Sequence, residues 1–335
     1  MQTPRRWFSL FLVAALAGGI TLEAAAQNCQ TSSDLDEATR SALTTAGQRY
    51  FDMAAKGDTA SMRQNAIPNL AANFSAIETT IKDHQADLTG AQSKVDSLFL
   101  LEADGSAPLP RAEFYCGVFG KNGQTQGSAI FDLNNLPPGK YGVVILNATS
   151  PEGKISFSEI LQLEGTDWKL GGLYVKDVQV SGHDADWFAA RASEYKAKGE
   201  MHDAWLYYVE ARSLVSPLPF MSTQSTDKLY DQFHNEQPPD VPGNGKTADL
   251  SAGTANYKLT ALFPEAVGSD LDLVVKYQVP DAANTSQAYA SNMAVIKALV
   301  AKYPELKDGF SAVVARADDA SGHDYGTLLN MKEIK

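Results

Sequence analysis

The sequence predicts an α+β protein, because helical periodicity is followed by a long run of alternating segments. Apolar residues between Leu43 and Met53, and again between Leu70 and Leu88, recur at the spacing of two amphipathic helices. Beyond Gly90 the apolar residues recur at every second position, as they do in strands. Short turns rich in Gly, Pro and Asn separate most of these segments, which favours an antiparallel sheet.

Residues 1–26 have the pattern of a cleaved bacterial export signal. The pair Arg5-Arg6 precedes an uncharged apolar run, and three small residues ending at Ala26 follow that run. We therefore expect a mature chain that begins near Gln27 and lies in the periplasm or the medium. Arg5-Arg6 also partly resembles the twin-arginine pattern, so ordinary and twin-arginine export both stay open. No other apolar run approaches the roughly 18 residues of a membrane span.

The charge of the chain excludes nucleic acid as a partner. The 335 residues contain 28 Lys and Arg against 40 Asp and Glu, which gives a net charge of −12. Loss of residues 1–26, whose net charge is +1, leaves −13. Such a chain repels phosphate backbones and anionic lipids, and it contains no Lys/Arg cluster. A protein partner or a small-molecule ligand remains possible.

The two cysteines of the chain, Cys29 and Cys116, both lie beyond the predicted signal. In an oxidising compartment an even pair of cysteines predicts a disulfide. The sequence equally permits a buried Cys116 and a free Cys29 thiol, because it carries no information on their separation.

The first unit, residues 27–181, resembles the NTF2-like family over about residues 37–180. The resemblance rests on the order of two helices and a sheet, and on Asp-Trp-Lys-Leu-Gly-Gly-Leu-Tyr at 167–174, which is similar to the closing strand of that family. It implies a cone of helices on a strongly curved antiparallel sheet. Residues 131–141 also resemble a turn and strand of secreted β-sandwich modules, but the two preceding helices favour the cone. The predicted strands are 94–101, 112–119, 128–133, 141–148, 155–163 and 168–178.

Residues 182–236 are predicted to be helical, and 184–217 resemble a single tetratricopeptide-repeat hairpin. One such hairpin cannot bury its own apolar face, so it is expected to pack on a neighbouring domain. Residues 237–245 are a linker by composition, and residues 246–335 are predicted to form a small ββαββ unit. The residues that carry the hairpin resemblance are Phe188, Ala192, Tyr195, Gly199, Ala204, Tyr208 and Ala211.

Glu159 is the main candidate for a ligand-binding acid. It shares a predicted strand face with Ile155, Phe157 and Leu161, so a cone cavity on that face would desolvate it and raise its pKa. A bulge that turns Glu159 to solvent, or a lysine partner, is the alternative. Weaker candidates are Asp132, Tyr115 and Tyr141, and the two tyrosines could equally be core residues.

The sequence contains no motif for a metal, a cofactor or a catalytic nucleophile. Three histidines precede an aspartate, at His183-Asp184, His202-Asp203 and His323-Asp324, but none has the spacing of a metal site. Ser-Gly-His-Asp occurs twice, at 181–184 and 321–324, and both copies are predicted to be turns. In the first copy Asp184 is predicted to cap the helix that carries Phe188.

Together these patterns predict an exported bacterial envelope protein that serves as a non-catalytic binding or scaffolding module. The acidic surface, the hairpin and the missing catalytic motifs favour this hypothesis. The alternative hypothesis is a small-ligand binder or an enzyme that uses the cone cavity, with Glu159 as its key acid.

Overall fold

The computed structural model describes residues 27–121, 123–243, 245–268 and 270–334. The predicted export signal, residues 1–26, lies outside the described residues. The described chain combines helices with mainly antiparallel sheets, which confirms the predicted α+β class. No helix in these ranges is both long enough and apolar enough to cross a membrane.

The first unit consists of helices, two larger sheets and a separate two-stranded sheet. Its predicted second helix, 70–88, is instead three helices, because the chain turns at Asn73 and again at His84. In chain order the elements are β1 (Gln27–Thr31), α1 (Glu37–Ala55), α2 (Thr59–Gln64), α3 (Pro68–Ala72), α4 (Ser75–Asp83), α5 (Gln85–Leu88), β2 (Gln92–Ala103), β3 (Leu109–Cys116), β4 (Phe119–Gly120), β5 (Gly123–Gln124), β6 (Ala129–Leu136), β7 (Gly139–Thr149), β8 (Lys154–Glu164) and β9 (Asp167–Asp177).

The strands of the first unit form two larger sheets where a single one was predicted, and β4 and β5 pair as a third, two-stranded sheet. The first sheet has the antiparallel order β1-β2-β7-β8-β9, whereas β3 and β6 pair with each other outside it. The apolar runs 98–101 in β2 and 143–146 in β7 explain this division, because they make both faces of the first sheet hydrophobic. Helices α1 and α4 cover one face, and the sheet of β3 and β6 covers the other.

Helices α6 (Ala185–Lys198) and α7 (Met201–Val215) form the predicted antiparallel hairpin, and Gly199 ends α6 in the left-handed conformation at φ +83°. Two further elements follow, β10 (Met221–Thr223) and α8 (Gln224–Glu236). Strand β10 pairs with β6 and completes the second sheet as β10-β6-β3. Strand β10 is therefore part of the first unit, whereas Leu229 of α8 belongs to the core that the hairpin shares with the C-terminal unit.

The C-terminal unit shares one continuous core with the hairpin. Its five-stranded sheet has the order β11-β12-β13-β14-β15, and α9 joins the parallel pair β13 and β14. The first strand of the sheet is additional to the predicted ββαββ pattern. The elements are β11 (Ala248–Ala252), β12 (Ala255–Val267), β13 (Asp270–Gln278), α9 (Thr285–Lys302), α10 (Leu306–Gly309), β14 (Ala312–Asp318) and β15 (Asp324–Asn330).

Candidate functional site

A cleft of about 540 Å³ lies between the first sheet and the helical hairpin. Ile145 and Asn147 of β7 and Ser156 of β8 form its wall on the sheet side. The second sheet covers this face of the first sheet as far as Ile145, so the ends of β7 and β8 extend past it. The end of α7 contributes an apolar wall opposite, formed by Leu214, Val215 and Pro217.

Carboxylates predominate among the charged residues that line the cleft. Asp96, Asp184 and Asp186 line it, against Lys154 as the lining cation. Asp184 also caps α6 as predicted, since its side chain accepts a hydrogen bond from the Trp187 backbone N–H at 3.1 Å. Asp96 accepts a hydrogen bond from the Asn147 amide at 3.1 Å. The resulting negative potential favours a cationic ligand.

Glu159 lies on the opposite face of the first sheet from the cleft. It pairs with Val144 and points toward α1, where it is completely buried beside the core residues Phe157 and Leu161. A bulge falls between Ile160 and Leu161, but it does not turn Glu159 to solvent. The predicted position in an apolar row is therefore present in the structure.

The Glu159 carboxylate has no hydrogen-bond partner for either oxygen among the described residues. Burial raises its pKa well above the usual range of a glutamate, and the charge of Arg49 offsets this only in part. Helix α1 approaches closely at Gly47, where a Cβ would lie 2.5 Å from Val144 Cγ1 and 2.9 Å from Glu159 Oε2. Glu159 lines neither the cleft between the first sheet and the hairpin nor four other prominent clefts of the described residues.

Asp132 lies on the outer face of the second sheet, which corrects the interpretation that placed it in a cone cavity. Its carboxylate accepts two hydrogen bonds from the Arg111 guanidinium, at 2.9 Å and 2.8 Å. These bonds lower the Asp132 pKa below the usual aspartate range. Arg111 also pairs with Glu113 at 2.7 Å, so Asp132 belongs to a solvent-accessible ion-pair network.

The two candidate tyrosines, Tyr115 and Tyr141, do not form a site together with Glu159. Tyr115 is 58% exposed, and its ring packs edge-on against Phe119 with centroids 5.8 Å apart. Tyr141 is buried between the two sheets, and its hydroxyl donates a hydrogen bond to the Pro137 carbonyl at 2.8 Å. Because Tyr141 and Glu159 lie on opposite faces of the first sheet, they cannot bind the same ligand.

Cys29 and Cys116 form a disulfide in the structure, with Cα atoms 5.0 Å apart. The bond joins β1, at the edge of the first sheet, to β3, at the edge of the second. It decides between the two possibilities that the sequence leaves open, and it holds the sheets together on the side away from the cleft lining.

Both Ser-Gly-His-Asp copies are turns, as predicted. In the first copy His183 bonds back to Val180 through the backbone, and its ring stacks on Trp187 at 3.7 Å. In the second copy Asp319 accepts hydrogen bonds from the backbone N–H groups of Ser321 and His323. Each histidine is therefore held within its own turn.

The third His-Asp pair, at the start of α7, lies in a partly buried polar cluster that the sequence analysis did not identify. His202 contacts Glu305 at 2.7 Å and Asp240 at 3.1 Å. The neighbouring Asp203 is completely buried, and neither of its oxygens has a hydrogen-bond partner among the described residues. Burial, with the charge of Glu305 as a smaller contribution, raises the Asp203 pKa to about 8.

This cluster joins α7 to the segment before β14. Asp203 packs against Gly309, where a Cβ would lie 2.9 Å from the carboxylate, so the helix and the segment are in close contact. The dipeptide His202-Asp203 was a visible signal. Its acidic partners are distant in the chain, because Glu305 lies 103 residues after His202, and Asp240, in the predicted linker, lies 38 residues after it.

No model of a known protein family matches the chain, and comparison with curated proteins and with solved structures found no significant match. The residues that line the cleft are therefore the basis on which a function is assigned.

Proposed function

We propose that this chain is an exported, non-catalytic binding protein of the bacterial envelope, and that it binds a small cationic ligand in the cleft between the first sheet and the hairpin. The observation that carries the proposal is the cleft itself, with its acidic lining and its apolar wall.

The size and position of the cleft support a small-molecule ligand. Its volume of about 540 Å³ falls within the range of roughly 300–1,000 Å³ that is usual for ligand sites. Such sites often lie between domains and combine apolar walls with a few polar groups. Leu214, Val215 and Pro217 offer the apolar surface, while Asn147 and Ser156 offer hydrogen-bonding groups.

The charge of the lining supports a cation. Asp96, Asp184 and Asp186 outnumber Lys154, and a net charge of −13 for the mature chain adds a long-range attraction. Binding without catalysis is proposed because these polar side chains have structural partners. Asp184 caps α6, Asp96 accepts a hydrogen bond from Asn147, and the Ser156 hydroxyl contacts the Ser158 hydroxyl at 3.3 Å and not a base.

The alternative function, a site in the cone with Glu159 as its key acid, has one observation in its favour. The buried carboxylate lacks a partner among the described residues. A ligand that paired with it would have to displace α1, which contacts Glu159 through Gly47. We therefore favour the cleft, which is open to solvent.

If the cleft binds a cationic ligand, a bulky side chain placed in the cleft should weaken that binding. Ala185 lines the cleft at the start of α6, so Ala185→Trp should fill it and weaken the binding of a cationic ligand at least tenfold. Isothermal titration with putrescine, spermidine, choline and arginine measures this effect, and at least one should bind with a Kd below about 1 mM.

Ala190→Trp is the matched control, because Ala190 lies on the same helix with its side chain exposed. It should bind as the wild type does. The cleft proposal is abandoned if none of the four cations binds, or if Ala185→Trp and Ala190→Trp bind equally well.

Export predicts that the protein recovered from the periplasm or the medium begins at or near Gln27. Support comes from the composition of residues 1–26 and from the disulfide, since such bonds persist in oxidising compartments. N-terminal sequencing checks this. A protein that retains Met1 would contradict both the localisation and the argument from the disulfide.

A further inference from the structure

One imidazole and two carboxylates meet at the corner between α4, α5 and the end of β9. The ligand atoms of His84, Asp87 and Asp177 all lie within 4.8 Å of one another. His84 Nδ1 is 3.5 Å from Asp87 Oδ2, and both side chains are about one quarter exposed. The group is therefore reachable from solvent. It lies on the helix-covered face of the first sheet, and Asp177 directly precedes Val178, which lines the acidic cleft.

The backbone that carries these three residues is held by core packing. His84 forms the corner between α4 and α5, and the buried residues Ile81 and Leu88 anchor the helices on either side of it. Asp177 is the last residue of β9, where it pairs with the buried Ile155 of β8. The three side chains therefore project from fixed positions on two helices and a strand, as a preorganised site requires.

The two carboxylates at this corner have His84 as a close basic neighbour. Among the described residues neither Asp87 nor Asp177 forms an ion pair with a lysine or arginine, although two carboxylates have been brought together. Two neighbouring carboxylates repel each other when both are ionised. A bound cation would remove this repulsion.

The types of donor atom in the group indicate which class of cation it would bind. One imidazole nitrogen with two carboxylate oxygens suits Zn²⁺ and similar first-row divalent ions, whereas Ca²⁺ and Mg²⁺ prefer oxygen ligands alone. Two atoms bound to Zn²⁺ at about 2.1 Å lie no more than about 4.2 Å apart. The observed separations, within 4.8 Å, exceed this limit by little, so a small rotation of the side chains would bring the three ligand atoms to bonding distance of one ion.

We propose that His84, Asp87 and Asp177 bind one divalent transition-metal ion, which clamps the α4–α5 corner to the end of β9. Three protein ligands leave the remaining coordination positions to water. The site is independent of the cleft and its ligand, and neither proposal requires the other.

The proposal is tested by titration of Zn²⁺. The protein is untagged and is first treated with chelator and dialysed. We expect one equivalent to bind in the micromolar range or tighter, with both cysteines unavailable because they are bonded to each other. His84→Ala and Asp177→Asn should each weaken binding at least tenfold, since even outer partners of metal ligands contribute factors of 10 to 100. Circular dichroism of each metal-free variant checks that it is folded.

His323→Ala is the matched control, because His323 pairs with one carboxylate, Asp319, at 3.0 Å in an exposed turn. It should bind Zn²⁺ as the wild type does. X-ray absorption at the zinc edge of the wild type should show nitrogen and oxygen ligands only, at about 2.0–2.2 Å. Wild-type protein that binds no Zn²⁺, or variants at 84 and 177 that bind it unchanged, would overturn the proposal.

Discussion

Loss of the Cys29–Cys116 disulfide is expected to lower the free energy of unfolding by about 4–5 kcal/mol. The bond closes a loop with a sequence separation of 87 residues. In the chain-entropy account, its removal raises the conformational entropy of the unfolded chain and lowers the free energy of unfolding by about this amount. The folded state also loses the covalent link between β1 and β3, which are the edge strands of two different sheets.

Urea unfolding of the Cys29→Ala, Cys116→Ala double variant, compared with the oxidised wild type, measures this cost. Alanine is suitable because Cys116 is completely buried and apolar in its surroundings. The two single variants should each lose nearly as much as the double variant, since all three remove the same bond. Equal unfolding midpoints for the oxidised protein and the double variant would show that the bond does not stabilise the fold.

Glu159→Gln is expected to stabilise the protein at pH 8 by about 1–3 kcal/mol, because each tenfold rise in proton affinity that burial causes costs about 1.4 kcal/mol where the unfolded carboxyl is ionised. The wild-type carboxyl is fully buried beneath α1, and its oxygens have no partner among the described residues. The amide has nearly the same shape and cannot ionise, so the variant avoids the free-energy cost of holding this group in the core at neutral pH.

The pH dependence follows from the direction of the pKa shift. Burial raises the folded-state pKa of Glu159 above its unfolded value. The folded wild type therefore holds this proton more strongly than the unfolded chain does. Its stability is greatest below the unfolded pKa and falls as the pH rises through the folded one. The stabilisation by Gln should be small in acid and should grow across that interval.

Chemical denaturation of both proteins from mildly acidic to alkaline pH measures this difference. Glu152→Gln is the matched control, because Glu152 is exposed in the turn between β7 and β8. Its stability should run parallel to that of the wild type at every pH. A Glu159→Gln curve that also ran parallel would mean that Glu159 is solvated, and the cone-cavity alternative would lose its key acid.

The periodic features of the fold were predictable from local sequence. The alternation in β8 predicted that Glu159 shares the face of Phe157, and the structure places it there. The residue types at the start and end of α6 predicted the Asp184 cap and the Gly199 turn. Each of these depends on backbone geometry within a few residues, which local sequence determines directly.

The continuous stripe of apolar residues at 70–88 wrongly predicted a single helix. Apolar spacing predicts which side of a helix is buried, but it does not predict whether one helix or several present that side. The chain turns at His84 while Ile81 and Leu88 both stay in the core. That turn is what brings His84 and Asp87 beside Asp177, 93 residues later than His84 in the chain.

The sequence by itself determined the α+β class, the positions of most strands and the strand face that Glu159 shares with Phe157. The structure decided that this face buries Glu159. Only the tertiary structure decided that β3 and β6 form a second sheet, that Arg111 binds Asp132, and that a cleft opens past Ile145. The reason is physical: the period of the apolar residues says which face of an element avoids water, but not which distant segment covers that face. The candidate sites of this protein lie where the segments that cover the first sheet end or meet. The cleft lies past the end of the second sheet, and the His84, Asp87 and Asp177 group lies where α4, α5 and β9 meet.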